Sequence, residues 1–381
     1  MNDSDRREID QYYATLSNWI RLYGAEDMGR KYVIVRLARM EVNSQLDGSD
    51  LHRILEQVLD ARSWYPSWRR EAEVAEQEAE RMLAQARTAS AGDLFLRAAD
   101  CFHWGQYLAR IFSDEKAEGR AGRVRCYSRG IEVLDVGIEP FPIAYGDNTL
   151  PGYLHRPTGG VTPPACVVMV NGADSVKEEY HNWARDFVRR GLAVLTFDGP
   201  GQGEMVGLVP MRPEAWEEPM GAVLDALERS GKVDADRIGT WGSSMGGYLV
   251  SRAAAFEPRL KAVVSSGGFY DFRDYSSWPL STQLNVMEDL KVDSLAESRA
   301  YVAERCSLAG VAEKIGTPFL VIHGARDELV SVGEARRMAD EAPEGEFVCF
   351  DDGFHTCTNR NAELVPLMCD WMAAKLAAIH P

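Results

Sequence analysis

The spacing of apolar residues divides the chain into two parts. Up to about residue 123 these residues recur at helical intervals, most clearly over 67–87 and 93–111, with few alternating stretches and few prolines. We therefore predict an all-helical N-terminal domain, a cap, over residues 1–125. Its apolar stripes either pack the helices together or line a pocket.

Short apolar runs replace the helical pattern in the rest of the chain. Three strand-like segments come first and predict an antiparallel entry to a sheet: 131–136, 141–145 and 148–154. Apolar runs then alternate with helical segments, which is typical of strands buried on both faces of a parallel sheet. The predicted strands are 166–170, 193–197, 238–241, 262–266, 319–323 and 347–350, and the predicted helices are 179–190, 214–231, 245–256, 332–342 and 362–378.

This order of elements predicts an α/β fold over residues 126–381, a mostly parallel sheet flanked by helices. The connection between the strands at 262 and 319 is longer than an ordinary helical crossover. We expect a helical insertion at about 268–316, which either walls a pocket or thickens the domain.

Composition limits the partners of the chain. Its 42 basic and 58 acidic residues give a formal net charge of −16, which repels phosphate backbones and anionic lipids. No apolar run approaches the roughly 20 residues of a membrane span, and the charged first ten residues do not resemble a secretory signal. We expect no nucleic-acid or membrane partner, a cytoplasmic location and, because dimers are common among enzymes, a homodimer.

Cofactor and metal motifs are absent from the sequence. The seven cysteines never form a C-x-x-C pair, and the seven histidines show no zinc-binding spacing. The sequence also contains neither G-x-G-x-x-G nor a Walker A motif. We expect reduced thiols, no metal and no cofactor.

The candidate nucleophile is Ser244, in the stretch Gly242-Ser243-Ser244-Met245-Gly246. A serine on a very tight strand-to-helix turn needs glycines two residues to either side, because strand and helix approach closely there. The N-terminus of the following helix would direct backbone N–H groups and its positive dipole end towards an oxyanion beside Ser244.

A serine nucleophile requires a general base, which we expect after it in the chain. The histidines after Ser244 are His323, His355 and His380. His323 ends an apolar strand and His380 is the penultimate residue, whereas His355 lies in a loop between the last strand and the final helix. We therefore predict His355 as the base.

The base in turn requires an orienting acid. Asp327 follows the penultimate strand, at the sheet edge where ligands gather in open α/β folds. We predict Asp327 as this acid; Glu328 is adjacent and is an alternative, and Asp271 and Asp274 are further competitors.

An oxyanion hole needs two backbone N–H donors, one after the nucleophile and one from the loop after an earlier strand. We assign them to Met245 and to Ala173 in the loop 170–175. Charged residues follow in this loop, where they either contact substrate or form an exposed first helical turn. Our candidates for substrate contact are Asp174, Lys177, Glu178, Tyr270, Asp271 and Trp278.

The chain resembles the α/β-hydrolases over about residues 130–381. The resemblance rests on four motifs and their order, at 198–203, 242–247, 324–327 and 353–355. The helical N-terminal region, the strand 150–154 and the loop 172–179 more narrowly resemble the group that includes 2,6-dihydroxypseudooxynicotine hydrolase and the fungal polyketide chain-shortening hydrolases.

This resemblance implies a Ser-Asp-His enzyme that cleaves a carbon–carbon bond next to a ketone in an aromatic or polyketide-like substrate. The leaving carbanion or enol needs a proton, so an acid beyond the three residues would assist. Relatives with other activities keep two alternatives open, a carboxylester or thioester hydrolase and a non-hydrolytic cyclase or lyase of secondary metabolism.

Overall fold

The computed structural model describes residues 2–27, 39–159 and 163–377. The chain divides into two compact units, Met1–Ile138 and Glu139–Pro381. The boundary predicted at residue 125 falls inside a helix of the first unit, so that unit is longer than the sequence pattern indicated.

The first unit is helical. Asn2 caps its first helix by accepting a hydrogen bond from the N–H of Asp5, and Asp47 forms a capping box with Asp50 at the second. Within the described residues, the helices with both ends defined are α1 (Asp3–Tyr23), α2 (Gly48–Leu55), α3 (Trp64–Ala84), α4 (Thr88–Tyr107) and α5 (Asp114–Leu134). Helices α3 and α4 confirm the two clearest helical segments of the sequence.

The strand predicted at 131–136 is wrong, because α5 continues to Leu134. Ile131 is 4% exposed, and a Cβ added to Gly130 would lie 2.9 Å from a methyl carbon of Leu96. Packing of α5 against α4 thus buries apolar residues of this segment without a sheet. The helix ends at Asp135, which adopts a left-handed conformation at φ 49°.

Helices α4 and α5 approach each other through glycines. A Cβ on Gly122 would lie 2.7 Å from ring carbons of Phe102, and one on Gly119 would lie 2.5 Å from the Cβ of Gln106. The side chains of α4 therefore occupy the space that side chains at these positions of α5 would need.

The second unit is built on an eight-stranded sheet with the order β1-β4-β6-β5-β7-β8-β9-β10. Strand β4 is antiparallel to β6, and the sheet is parallel from β6 across to β10. Strands β2 and β3 form a separate antiparallel pair. The bounds are β1 Ile138–Pro140, β2 Ile143–Tyr145, β3 Asn148–Leu150, β4 Gly152–His155, β5 Cys166–Val170, β6 Ala193–Phe197, β7 Ile238–Ser243, β8 Leu260–Ser266, β9 Phe319–Gly324 and β10 Gly345–Phe350.

Helices cover both faces of this sheet. In β5, Val167 and Met169 face the apolar cluster that includes the helices at 181–188 and 361–377, while Val168 and Val170 face the cluster of the helices at 217–230, 245–254 and 332–341. The helices are α6 (His181–Val188), α7 (Glu217–Ser230), α8 (Met245–Ala254), α9 (Leu280–Leu290), α10 (Leu295–Arg305), α11 (Val332–Glu341) and α12 (Asn361–Ala377). The predicted α/β-hydrolase architecture is confirmed, and α9 and α10 lie within the expected insertion.

The carboxyl ends of parallel strands β6, β7, β9 and β10 meet at one edge of the sheet. The loops that carry the four sequence motifs are therefore brought to the same place. Among the described helices, none combines the length and apolarity of a membrane span.

Replacing Gly122 by alanine tests the close contact of α4 and α5. We expect the free energy of unfolding to fall by about 1 kcal/mol, since overpacking against an aromatic ring costs about 1–3 kcal/mol and this cost exceeds on average the roughly 1 kcal/mol gained in helix propensity. Urea unfolding followed by circular dichroism measures this change.

Gly48→Ala is the matched control in the same unit, because a Cβ there would lie 3.4 Å from its nearest neighbour, an oxygen of Glu41. It should leave the free energy of unfolding within about 0.5 kcal/mol of the wild type. A Gly122→Ala variant as stable as this control would contradict the described packing.

Candidate active site

Ser244 stands on the turn between β7 and α8 with φ 57° and ψ −119°. A left-handed conformation is costly for a non-glycine residue and persists only where the surroundings impose it. A Cβ on Gly242 would lie 2.1 Å from the carbonyl oxygen of Gly246, and one on Gly246 would lie 2.3 Å from that of Val170. The backbone contacts at these two glycines leave no room for side chains.

His355 connects Ser244 to Asp327. Its Nε2 lies 2.8 Å from Ser244 Oγ, and its Nδ1 lies 2.8 Å from Asp327 Oδ2. Because an ionised carboxylate only accepts hydrogen bonds, the proton is assigned to Nδ1, which leaves Nε2 free to accept the hydroxyl proton of the serine. The arrangement can therefore generate an alkoxide-like nucleophile.

The environment of Asp327 keeps this carboxylate ionised. Its side chain is fully buried, and Oδ1 accepts hydrogen bonds from the N–H groups of Leu329 at 2.8 Å and Val330 at 3.1 Å. Burial alone would raise the pKa of Asp327, but the charge and hydrogen bond of His355 and the Leu329 N–H outweigh it, so the pKa lies below its ordinary value.

A strained turn holds His355 in place. The next two residues, Thr356 and Cys357, both have positive φ, at 61° and 58°. Asn359 Oδ1 accepts a 2.9 Å hydrogen bond from the N–H of Phe354, which closes the loop around the histidine. The imidazole ring also lies 5.9 Å from the ring of Phe269, measured between centroids.

The loop after β5 lies directly against Ser244. A Cβ on Gly172 would lie 3.5 Å from the Cβ of Ser244. Within the part of the chain that the structure describes, no backbone carbonyl accepts a hydrogen bond from the N–H of Ala173 or of Met245. Both groups are thus available as the donors of an oxyanion hole.

Lys177 and Glu178 are not placed to contact a substrate. Lys177 Nζ lies 2.7 Å from Glu178 Oε1, 2.9 Å from Asp198 Oδ2 and 2.5 Å from Glu204 Oε1. The side chains of Lys177 and Glu178 are only 1% and 3% exposed. Their prediction as substrate contacts is corrected, because buried charges require partners and these have found them within the protein. Asp174 is half-buried and stays a predicted contact.

Tyr270 and Asp271 are also engaged elsewhere. The Tyr270 hydroxyl donates a 2.6 Å hydrogen bond to Glu341 Oε2 on α11, and Asp271 Oδ2 lies 2.6 Å from a guanidinium nitrogen of Arg273. The contact of Tyr270 corrects its prediction, because the residue is buried and its hydroxyl already has a protein partner, whereas Asp271 is half-buried and stays a predicted contact. The sequence gives no sign of the first contact, because its two members are far apart in the chain.

Trp278 packs against Phe269, which in turn lies beside His355. Its ring stacks on Phe269 with 4.3 Å between centroids, and only 6% of the residue is exposed. Phe269, which sequence reasoning did not single out, is thus the aromatic residue that contacts His355. A substrate contact by Trp278 stays a prediction.

The other candidates for the base and the acid do not take part in the hydrogen-bonded chain of Ser244, His355 and Asp327. His323 is fully buried and donates from Nε2 to the carbonyl of Val330 at 3.1 Å, and burial lowers the pKa of its imidazole. His380 lies outside the described residues. Among the described residues, Asp327 is the acid that bonds to His355, and Glu328 and Asp274 do not.

Comparison with known proteins agrees with this architecture. The model of the FrsA-like esterase family matches residues 5–304. The 2,6-dihydropseudooxynicotine hydrolase of Paenarthrobacter nicotinovorans is 34% identical over 320 residues, which cover 83% of this chain and 85% of that protein. A crystal structure of 2,6-dihydroxy-pseudo-oxynicotine hydrolase superposes with a TM-score of 0.82 at 31% identity, over 90% of this chain and 96% of the other.

Fungal relatives are similar over a shorter part of the chain. The 20-hydroxy-prefusarin hydrolase of Gibberella moniliformis is 35% identical over 230 residues, which cover 56% of this chain and 53% of that protein. The family match includes the turn at Ser244, and the longer bacterial similarity spans most of both chains. The protein is an α/β-hydrolase and belongs to the FrsA-like esterase family.

Proposed function

We propose that this protein is a serine hydrolase that cleaves a carbon–carbon bond next to a ketone in an aromatic or polyketide-like small molecule. The observation that carries the proposal is the hydrogen-bonded chain from Ser244 through His355 to Asp327, with both contacts at 2.8 Å. The choice of bond rests on the similarity to 2,6-dihydropseudooxynicotine hydrolase over most of both chains.

In the first half of the reaction, Ser244 Oγ attacks the ketone carbon while its proton moves to His355 Nε2. Asp327 stabilises the imidazolium that forms, since its carboxylate lies 2.8 Å from Nδ1. The carbonyl oxygen becomes an oxyanion, and the N–H groups of Ala173 and Met245 stabilise it.

Collapse of the tetrahedral intermediate breaks the bond between the former carbonyl carbon and the neighbouring carbon. The electron pair leaves with that neighbouring carbon, which takes the proton from the imidazolium of His355. An acyl group remains on Ser244. Water, activated by the neutral His355, then attacks this ester and releases a carboxylic acid.

The source of the proton for the leaving carbon limits which leaving groups this site can serve. In the segment 269–278, Asp271 is paired with Arg273, and the Tyr270 hydroxyl donates a hydrogen bond to Glu341. We therefore assign the protonation of the leaving carbon to His355, whose Nε2 lies 2.8 Å from Ser244 Oγ. A donor of this strength suits a leaving group that departs as a stabilised enolate, as from a β-diketone, better than one that departs as an unstabilised carbanion.

Ester hydrolysis is the second candidate, and the family description favours it. The same five groups would act on a carboxylic ester, and the leaving alkoxide would take its proton from His355. No further acid is required for that reaction, which is consistent with the engagement of Asp271 by Arg273.

Ser244→Ala tests the nucleophile. We expect kcat to fall by about 10⁶-fold, as it does when a serine nucleophile is removed from another triad, and covalent labelling by a fluorophosphonate to disappear. The neighbouring Ser243→Ala is the matched control and should keep both properties. Labelling or turnover retained in Ser244→Ala would contradict covalent catalysis at this residue.

A substrate panel tests the bond. The enzyme is incubated with aryl β-diketones such as benzoylacetone and with phenyl esters of the same acids, and the products are separated by liquid chromatography. We expect the diketones to yield one carboxylic acid and one methyl ketone per molecule cleaved, because the enolate is a good leaving group. Rapid ester turnover with the diketones left intact would make the protein an esterase instead.

A further inference from the structure

A buried ion cluster lies behind the proposed oxyanion loop, residues 171–177. Lys177 is its one ammonium group, and the carboxylates of Glu178, Asp198 and Glu204 lie within 2.9 Å of Nζ. The side chains of Lys177 and Asp198 are 1% and 0% exposed. Charges removed from water to this degree are stable only when the surrounding geometry satisfies them, so the cluster fixes the positions of the groups it joins.

Asp198 is the centre of this cluster and joins it to the oxyanion loop. Oδ1 accepts from the side-chain Nδ2 of Asn171 at 3.0 Å and from the backbone N–H of Lys177 at 2.9 Å. Oδ2 accepts from Lys177 Nζ at 2.9 Å and from the backbone N–H of Glu204 at 3.1 Å. The carboxylate thus holds the first and last residues of the oxyanion loop to the turn at 198–204.

A second bond ties the same two loops. Gln202 Nε2 donates to the backbone carbonyl of Asn171 at 2.7 Å, and Gln202 Oε1 accepts from the N–H of Gly199 at 3.3 Å. The Asn171 carbonyl also lies against the nucleophile turn, because a Cβ on Gly246 would be 2.8 Å from its oxygen. Asn171 is therefore fixed both to the turn at 198–204 and to the turn that carries Ser244.

We propose that Asp198 is a positioning residue for the oxyanion hole: it sets the place of the Ala173 N–H relative to Ser244. Asp198 touches none of the reacting atoms. It acts through Asn171 and Lys177, which bracket Ala173 in the chain. This role rests on the proposed serine chemistry, since an oxyanion forms only if Ser244 attacks a carbonyl.

Asp198→Asn tests the role with almost no change in volume. The new amide group would place a second donor against Lys177 Nζ and the Glu204 N–H, both of which are donors already. We expect kcat for an aryl ester or diketone to fall about 10–100-fold, since complete loss of one oxyanion donor costs about 10²–10³-fold. KM should stay close to the wild-type value.

Inhibitor affinity separates positioning from general support of the fold. An aryl trifluoromethyl ketone, whose adduct with Ser244 carries an oxyanion, should bind Asp198→Asn more weakly by the same factor as kcat falls. Binding of uncleaved substrate, measured in the Ser244→Ala background, should be unchanged by adding Asp198→Asn. Asp236→Asn is the matched control, because it removes the same charge from an exposed turn and should change neither quantity.

Asn171→Ala removes the contact from the loop side and provides the test if Asp198→Asn does not fold; the same pattern is expected of it. Unchanged kcat and inhibitor affinity in a folded variant would overturn the positioning role. Parallel losses of substrate affinity and of the urea unfolding midpoint would also overturn it, in favour of purely structural support. A wild-type enzyme that neither the trifluoromethyl ketone nor a fluorophosphonate modifies would refute the serine chemistry itself and the positioning role with it.

Discussion

The close approach of backbone to backbone at the Ser244 turn is the constraint on which the rest of the site depends. Gly242 and Gly246 each lie where a Cβ would come within 2.3 Å of a carbonyl oxygen. This packing imposes the left-handed conformation of Ser244 and turns its hydroxyl towards His355. The same packing starts α8 at Met245, which places a backbone N–H at the helix N-terminus for the oxyanion of the proposed reaction.

The catalytic geometry could be predicted from sequence because each part of it has a local signature. The glycines mark the turn at Ser244, and buried apolar runs place Asp327 and His355 after successive strands of one sheet. Parallel strands then bring the three side chains to one edge without any need to know their contacts. The fold was predictable for the same reason, since strands buried on both faces have a distinctive composition.

Local patterns failed where the outcome depended on distant partners. Lys177 and Glu178 have the composition of an exposed helical turn, but the turn at 198–204 supplies Lys177 with counter-charges, the buried Asp198 and the more exposed Glu204. The segment 131–136 has the composition of a strand, but packing against α4 makes most of it helical. Tyr270 lies in a segment suited to a pocket wall, yet its hydroxyl bonds to Glu341, more than seventy residues away in the chain.

The central claim is that carbon–carbon cleavage proceeds through an acyl group on Ser244. Rapid-quench mass spectrometry of the intact enzyme with an aryl β-diketone tests it most directly, using a diketone whose acyl group leaves the enzyme slowly. The account predicts a burst of methyl ketone equal to the enzyme concentration, together with an acyl adduct that maps to Ser244. Ketone and acid released at equal rates, with no adduct at any time, would contradict it and indicate direct attack by water.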